Sequence, residues 1–183
     1  MLRVLDKILK IGTITETAPR DDELDALGIT LKREIDRRFR GSLAIRQVDA
    51  GSCNGCELEI HALNNPYYDI ERFGIRFVAS PRHADALLVT GPVSRHMEAA
   101  LRRTWRATPS PKIVIAAGSC ACDGGEFGVS YASCGAVSNV IPVDISIPGC
   151  PPAPRDLLKA LLAALHHARI EPAGTRSPPG KSP

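Results

Sequence analysis

Hydrophobic residues recur at intervals of three and four in two stretches near the start of the chain, a pattern typical of amphipathic helices. The first stretch runs from Leu2 to Leu9, with charged residues between the apolar ones. The second runs from Leu24 to Ile35 and predicts a helix over residues 22–38. The first helix either covers the core of its own domain or docks on a partner or a membrane surface, and the pattern leaves both open.

Further along, short apolar runs alternate with amphipathic stretches. The predicted strands are residues 42–49, 75–79, 86–90, 112–117 and 143–147. The predicted helices are residues 55–64, 94–107 and 154–168, and residues 118–136, rich in glycine, serine and cysteine, are predicted as a loop. Several strands are apolar on both faces, which is typical of parallel strands covered by helices on two sides. The sequence therefore predicts an α/β fold: a single doubly wound, mainly parallel, flavodoxin-like sheet with helices on both faces.

The length of 183 residues fits one such domain, and 44% hydrophobic and 23% charged residues are ordinary for a globular protein. We expect a helical N-terminal segment over residues 1–40, the α/β domain over residues 41–170 and a disordered tail over residues 171–183. No apolar run is long enough to span a bilayer, and the N-terminus shows no secretory or twin-arginine signal. A net charge of +3 with 4% aromatic residues argues against a nucleic-acid partner.

Four of the six cysteines directly follow predicted strands. Cys53 and Cys56 follow the first strand in GSCNGC, Cys120 follows the fourth, and Cys150 follows the fifth. Because the carboxyl ends of parallel strands open on one crevice, three loops should deliver four thiols to one place. Four thiolates fit a [4Fe–4S] cluster or zinc, and a CxxC after a strand also fits thioredoxin-like redox chemistry.

The origin of the four cysteines favours the iron–sulfur cluster among these alternatives. Structural zinc commonly uses two short CxxC knuckles, whereas two of the cysteines here stand alone in distant loops. Thioredoxin-like chemistry would leave Cys120 and Cys150 without a role. The other two cysteines, Cys122 and Cys134, are expected to be small buried side chains of the glycine-rich loop. Disulfides are disfavoured because the chain is expected in the cytosol.

The segments around these cysteines resemble one protein family: GSCNGCELEI, HADALLVTGPV, AAGSCACDGG and VIPVDISIPGCPP. It is the small electron-transfer subunit shared by respiratory complex I, as its 20-kDa subunit, and by energy-converting, membrane-associated [NiFe] hydrogenases. The resemblance runs over residues 42–165, roughly two-thirds of the chain. In the complex I subunit the first two cysteines are adjacent. The CNGC spacing here is similar to that of hydrogenase small subunits, above all those of formate hydrogenlyase-type complexes.

This resemblance implies one [4Fe–4S] cluster with Cys53, Cys56, Cys120 and Cys150 as its ligands. It implies an electron-transfer subunit beside the active site of a [NiFe]-hydrogenase-like large subunit, in a membrane-associated oxidoreductase complex and not catalytic alone. Further clusters are not expected, because the chain shows no C-terminal extension of the kind found in uptake hydrogenases. A complex I-type subunit that delivers electrons to quinone is the alternative. A zinc-stabilised binding module without redox activity is a more distant one.

The implied partners are the large subunit, a ferredoxin-like iron–sulfur subunit and membrane-arm subunits. The implied location is peripheral, on the cytoplasmic side of the inner membrane. Glu57 and Glu59 follow the second cysteine and point about 200° apart on a helix, so at most one faces the cluster. The resemblance favours Glu59, since the complex I pattern also carries a glutamate there, and a partly buried carboxylate at a subunit seam fits a proton relay. The plainer interpretation of both residues is a solvated carboxylate or a charge at a helix start.

Overall fold

The computed structural model describes residues 2–12 and 21–167, and the predicted tail of residues 171–183 lies outside them. The helices are α1 Leu2–Ile11, α2 Asp22–Phe39, α3 Gly55–Ala62, α4 Arg95–Ala107, α5 Ser119–Asp123 and α6 Pro154–His167. The strands are β1 Leu43–Asp49, β2 Ile75–Phe77, β3 Ala86–Thr90, β4 Ile113–Ala117 and β5 Ile145–Ile147. Short 3-10 helices lie at Ile70–Phe73, Pro81–His83 and Val137–Asn139.

Five strands of the described residues form one sheet in the order β2-β1-β3-β4-β5, and every pair is parallel. The register sets Val48 of β1 opposite Val89 of β3 at the centre of the sheet. This strand order is the flavodoxin-like one, in which connections leave β1 and β3 in opposite directions and open a crevice at their carboxyl ends. The predicted fold class is confirmed.

Helices cover both faces of the sheet because successive residues of its strands alternate between two hydrophobic clusters. On one face, Ile45 packs in a cluster with Leu31 of α2 and Leu161 of α6. On the other face, Val89 packs in a cluster with Leu101 of α4 and with Ala121 of α5. Each fully buried leucine or isoleucine contributes about 1.5–3 kcal/mol relative to an exposed one. The two clusters therefore hold the carboxyl ends of the strands in fixed positions.

The two N-terminal helices behave differently. Helix α2 begins where Asp21 accepts the N–H of Leu24, and it packs against α6 as part of the core. Helix α1 exposes Leu5, Ile8 and Leu9, so within the described residues it does not cover the core. None of the helices described combines the length and the apolar character needed to cross a bilayer.

Four elements differ most from the sequence-based prediction. Strand β5 begins at Ile145 rather than at residue 143, and α3 ends at Ala62 rather than at residue 64. Strand β2 ends at Phe77 rather than at residue 79, because Val78 donates a last bond to Ile45 and Ser80 then caps a turn. The predicted loop over residues 118–136 contains the short helix α5. Gly118 and Gly124 bound this helix with positive φ angles, which is why a glycine-rich segment still forms one helical turn.

Candidate metal centre

Four cysteines lie on three loops that meet at the carboxyl edge of the sheet. Cys53 and Cys56 follow β1, Cys120 lies in α5 directly after β4, and Cys150 follows β5. Cys53 and Cys150 are exposed, whereas Cys56 and Cys120 are half-buried. The sulfur-lined rim formed by these four side chains is therefore open to the surface on one side.

Ser119 joins the loops of Cys120 and Cys150. Its backbone N–H donates to the carbonyl oxygen of Gly149 at 2.8 Å. Its Oγ donates to the same oxygen at 3.2 Å and accepts the N–H of Gly149 at 3.3 Å. One serine thus fixes the residues that directly precede the two cysteines.

Gly118 brings the loop of Cys56 against the loop of Cys120. A Cβ at this position would lie 2.5 Å from the Sγ of Cys56 and 3.6 Å from the carbonyl oxygen of Gly149. The φ angle of Gly118 is +91°, which glycine adopts without steric cost. All three cysteine loops therefore meet around a residue with no side chain.

The close approach of the thiols is also visible in their acidity. Burial raises the pKa of Cys56 to about 11, and the charges of Glu57, Cys53, Cys120 and Cys150 add to this effect. Burial also raises the pKa of Cys120, with the charges of Cys150 and Cys53 next in size. Thiols that resist deprotonation beside one another lose their protons when a cation binds, because the cation then offsets the clustered negative charge.

The donor set is made of soft sulfur ligands, which suit iron–sulfur clusters and zinc. Within residues 2–12 and 21–167, no three His, Cys, Asp or Glu side chains are arranged around a single metal ion. A zinc site needs its sulfurs about 2.3 Å from one point, whereas a cluster of several metal atoms takes its ligands at separate corners. By the chemistry of the donor set, the four thiols fit an iron–sulfur cluster, and they fit zinc as well.

The other two cysteines have different neighbours. The Sγ of Cys122 donates to the carbonyl oxygen of Ala116 in β4 at 3.6 Å. Cys134 is buried, and its Sγ donates to Oε2 of Glu98 at 3.5 Å. Both contribute to the hydrophobic cluster beneath α4 and α5, as small side chains in a core do.

The two glutamates of α3 differ in burial. Glu57 is 6% exposed and accepts hydrogen bonds from Ser52 and Thr90, so a solvated carboxylate is wrong for this residue. Glu59 is half-buried, and its side chain forms no hydrogen bond or ion pair with any residue that the structure describes. The proton-relay role of Glu59 stays a prediction.

Sequence reasoning missed the serines that organise the site, although one signal was present. The tripeptide Gly-Ser-Cys occurs at residues 51–53, with one residue between it and β1, and again at residues 118–120, directly after β4. In both copies the serine hydroxyl bonds to another part of the site. Thr90 carries no comparable signal, because its partner Glu57 lies in a separate element.

The amino-acid sequence of this chain is similar to those of several known proteins. The chain is 45% identical over 136 residues to formate hydrogenlyase subunit 7 of Escherichia coli (strain K12), an alignment covering 74% of this chain and 53% of that protein. It is 48% identical over 118 residues to the probable membrane-bound hydrogenase subunit mbhJ of Pyrococcus furiosus, covering 64% of this chain and 71% of that protein. The chain thus spans about half the length of the Escherichia coli relative.

A solved structure and a family model extend the comparison. The fold matches a chain of the membrane-bound sulfane sulfur reductase, an archaeal respiratory membrane complex, with a TM-score of 0.60 and 34% identity. That match covers 72% of this chain and 74% of the other. The family model for the 20 Kd subunit of NADH ubiquinone oxidoreductase matches residues 53–164, which include all four cysteines at the edge of the sheet. The resemblance inferred from the cysteine segments is therefore confirmed, and the chain belongs to the NADH ubiquinone oxidoreductase 20 Kd subunit family.

Proposed function

We propose that the chain is an electron-transfer subunit that holds one [4Fe–4S] cluster beside the active site of a [NiFe]-hydrogenase-like large subunit. The supporting observation is the convergence of Cys53, Cys56, Cys120 and Cys150 from three loops at one edge of the sheet. Relatives named as formate hydrogenlyase and membrane-bound hydrogenase subunits support the choice of complex. The complex is a membrane-associated oxidoreductase, and this chain alone is not catalytic.

The four thiolates hold the cofactor, and the surrounding backbone sets its environment. When bound, a [4Fe–4S] cluster supplies one-electron transfer. Ser119 orients the loops of Cys120 and Cys150, and Gly118 lets the Cys56 side chain approach them. The exposure of Cys53 and Cys150 supports a cofactor at the molecular surface, where a partner protein exchanges electrons with it.

Exposed apolar side chains beside the cysteines support a large partner at this edge. Leu58, two residues after Cys56, is 62% exposed, and Tyr131 in the segment after α5 is 98% exposed. Phe127 and Val129 of the same segment are also exposed. This segment borders the site, since a Cβ at Gly125 would lie 2.8 Å from the Sγ of Cys120. Such surfaces mark protein interfaces, and we assign this one to the large subunit.

The remaining partners follow from the same proposal. A ferredoxin-like iron–sulfur subunit exchanges electrons with this chain, and membrane-arm subunits anchor the complex. The chain itself is peripheral, on the cytoplasmic side of the inner membrane. The exposed apolar residues of α1 support a contact with the membrane arm.

Metal analysis of the full chain tests the cofactor. After anaerobic reconstitution we expect about four iron and four sulfide per chain, with the broad brown absorption of an iron–sulfur protein. A colourless protein with stoichiometric zinc would instead support a zinc-stabilised binding module. Two iron per chain would also contradict the proposal.

A second candidate function is electron transfer in a complex that acts on a substrate other than hydrogen. It is favoured by the 34% identity to a sulfane sulfur reductase chain and by the family name, which refers to a quinone-reducing enzyme. The sequence of the large subunit decides between the candidates. Four nickel-ligand cysteines there support a hydrogenase, and their absence supports the complex I-type alternative or another substrate.

We further propose that Glu59 relays protons at the seam with the large subunit. Its half-buried carboxylate, which has no hydrogen bond within the described residues, is free to bond to a partner. In the assembled complex, Glu59→Gln should keep the cluster spectrum and lower turnover or hydrogen–deuterium exchange by more than about tenfold. The matched control is Glu71→Gln, an exposed carboxylate on another element, which should leave turnover unchanged. Equal activity in the two variants contradicts the relay.

A further inference from the structure

Glu57 is a buried carboxylate beside the cysteines that the proposed function leaves without a role. It directly follows Cys56 at the start of α3, and only 6% of its surface is exposed. Within residues 2–12 and 21–167, no other Asp, Glu, Lys or Arg is buried. Burial of a charge is costly unless the group is hydrogen-bonded, so its contacts are informative.

Both carboxylate oxygens of Glu57 have hydroxyl donors. Ser52 Oγ donates to Oε2 at 2.6 Å, and Thr90 Oγ1 donates to Oε1. Ser52 Oγ also accepts the N–H of Asn54 at 3.2 Å, which extends the hydrogen bonds into the turn between the two cysteines. No Lys, Arg or His forms an ion pair with Glu57 in the part of the chain that the structure describes. Among the described residues, this carboxylate therefore has hydroxyl partners and no ion pair.

The same residues close the gap between the ends of β1 and β3. Thr90 ends β3 and is fully buried. A Cβ at Gly91, whose φ is +74°, would lie 2.4 Å from the backbone nitrogen of Ser52. From the other side, Asp49 accepts the N–H groups of Gly51 and Ser52, each at 2.8 Å. The loop of residues 52–56 is thus held at several points, and Glu57 supplies the side-chain bridge to β3.

We propose that Glu57 is a positioning residue that holds the loop of residues 52–56 against β3 and places an uncancelled negative charge beside the cofactor, lowering its reduction potential. The proposal rests on the proposed function, because it requires an iron–sulfur cluster at the four thiols. A cluster becomes more negative when it takes up one electron, and a nearby carboxylate shielded from water disfavours that form. Removal of the charge with retention of shape should therefore make reduction easier.

A redox titration of the reconstituted full chain, followed by electron paramagnetic resonance, tests the charge. Glu57→Gln is expected to keep its iron and to raise the ratio of reduced to oxidised cluster at least tenfold at a given potential, which is about 59 mV for one electron. Glu57→Asp keeps the charge and should stay within about threefold of the unsubstituted chain. If Glu57→Gln or Glu57→Asp loses its iron, the positioning role is supported, because each change breaks part of the bridge to Ser52 and Thr90.

The matched control is Asp123→Asn. Asp123 follows Cys120 by three residues on α5 but is exposed, so solvent and salt screen its charge. We expect a change below about threefold in the same ratio. The charge proposal is overturned if loaded Glu57→Gln stays within threefold of the unsubstituted chain, or if Asp123→Asn changes the ratio as much.

Thr90→Val tests the bridge while leaving the carboxylate in place. Loss of the hydroxyl should speed iron release to a chelator about tenfold, as loss of an outer-shell partner commonly does, and Thr90→Ser should restore the slow release. An unchanged rate in Thr90→Val overturns the positioning role. An unsubstituted chain that binds no four-iron cluster overturns the proposed function and this inference together, whereas an unchanged potential in loaded Glu57→Gln overturns the inference alone.

Discussion

The six cysteines form two groups with different surroundings. Four thiols meet at the carboxyl edge of the sheet, whereas Cys122 and Cys134 bond to other groups. Cys120 and Cys122 are two residues apart, yet Cys120 meets the thiols of other loops, whereas the Sγ of Cys122 bonds to a carbonyl of β4. Cys134 is the most buried of the six and bonds to Glu98. Because Cys120 and Cys122 both follow β4, the contacts of each thiol decide which one is a candidate ligand, and neither the preceding strand nor the nearest cysteine in the sequence does.

The largest effect should come from removal of a thiol in the group of four. Cys53→Ser, Cys56→Ser, Cys120→Ser and Cys150→Ser should each lose nearly all bound iron, because three thiolates do not complete the ligand set. Iron per chain and visible absorption measure the loss. The comparison fails if Cys122→Ala bleaches the protein and Cys120→Ser does not.

A methyl group at the meeting point of the loops should have the next largest effect. Gly118→Ala places a Cβ 2.5 Å from the Sγ of Cys56, so the thiol must move, and the positive φ adds backbone strain. We expect iron affinity to fall by about tenfold or more in a chelator competition.

Gly128→Ala is the matched control for Gly118→Ala, since Gly128 has a φ of +50° and no atom within 4 Å of an added Cβ. It should cost only the strain of the left-handed conformation, about 1–2 kcal/mol of stability, with unchanged iron affinity. Equal iron loss in the two variants would mean that strain, rather than crowding of Cys56, decides the result.

A smaller effect is expected from the hydroxyl that links two cysteine loops. Ser119→Ala removes the Oγ contacts with Gly149 but leaves the backbone bond between the same residues. Iron release to a chelator should speed up several-fold, at most about tenfold. Ser138→Ala, at an exposed serine, should leave the rate unchanged. If Ser119→Ala releases iron as slowly as Ser138→Ala, the backbone bond between Ser119 and Gly149 is enough to hold the two cysteine loops together.

The smallest effect on the site should come from the two remaining cysteines. Cys122→Ala and Cys134→Ala should keep the iron content and the spectrum, because neither side chain meets the other four. Cys134→Ala should lower the free energy of unfolding by about 1 kcal/mol, since it removes a buried sulfur. Loss of iron in either variant, measured alongside thermal unfolding, would place that cysteine in the ligand set.

Local patterns were sufficient for the sheet and for the group of four cysteines. The strands are short apolar runs bounded by turn residues, and their parallel arrangement brings Cys53, Cys120 and Cys150 to one edge whatever the packing details. Helix α2 was also predictable, since an aspartate precedes its first apolar residue and caps it.

The features that the sequence did not predict depend mostly on contacts between residues far apart in the chain. The angle between Glu57 and Glu59 on a helix predicts that the two carboxylates differ in burial. Which of them is buried depends on Thr90 of β3, which donates a hydrogen bond to Glu57. The helix α5 was missed because glycine-rich composition favours a loop, whereas its end glycines here act as boundaries. The role of Ser119 depends on Gly149, which reaches it only after β5 has joined the sheet.

The first and last cysteines of the group are Cys53 and Cys150, and the strands β2 to β5 all lie between them in the sequence. During synthesis the N-terminal part emerges first, so Cys53, Cys56 and Cys120 are made before Cys150 and β5. Pairings between such distant segments form slowly, because loop closure precedes the contacts that stabilise them. The full ligand set of the proposed cofactor therefore exists only once β5 has joined β4 and brought Cys150 to the edge of the sheet.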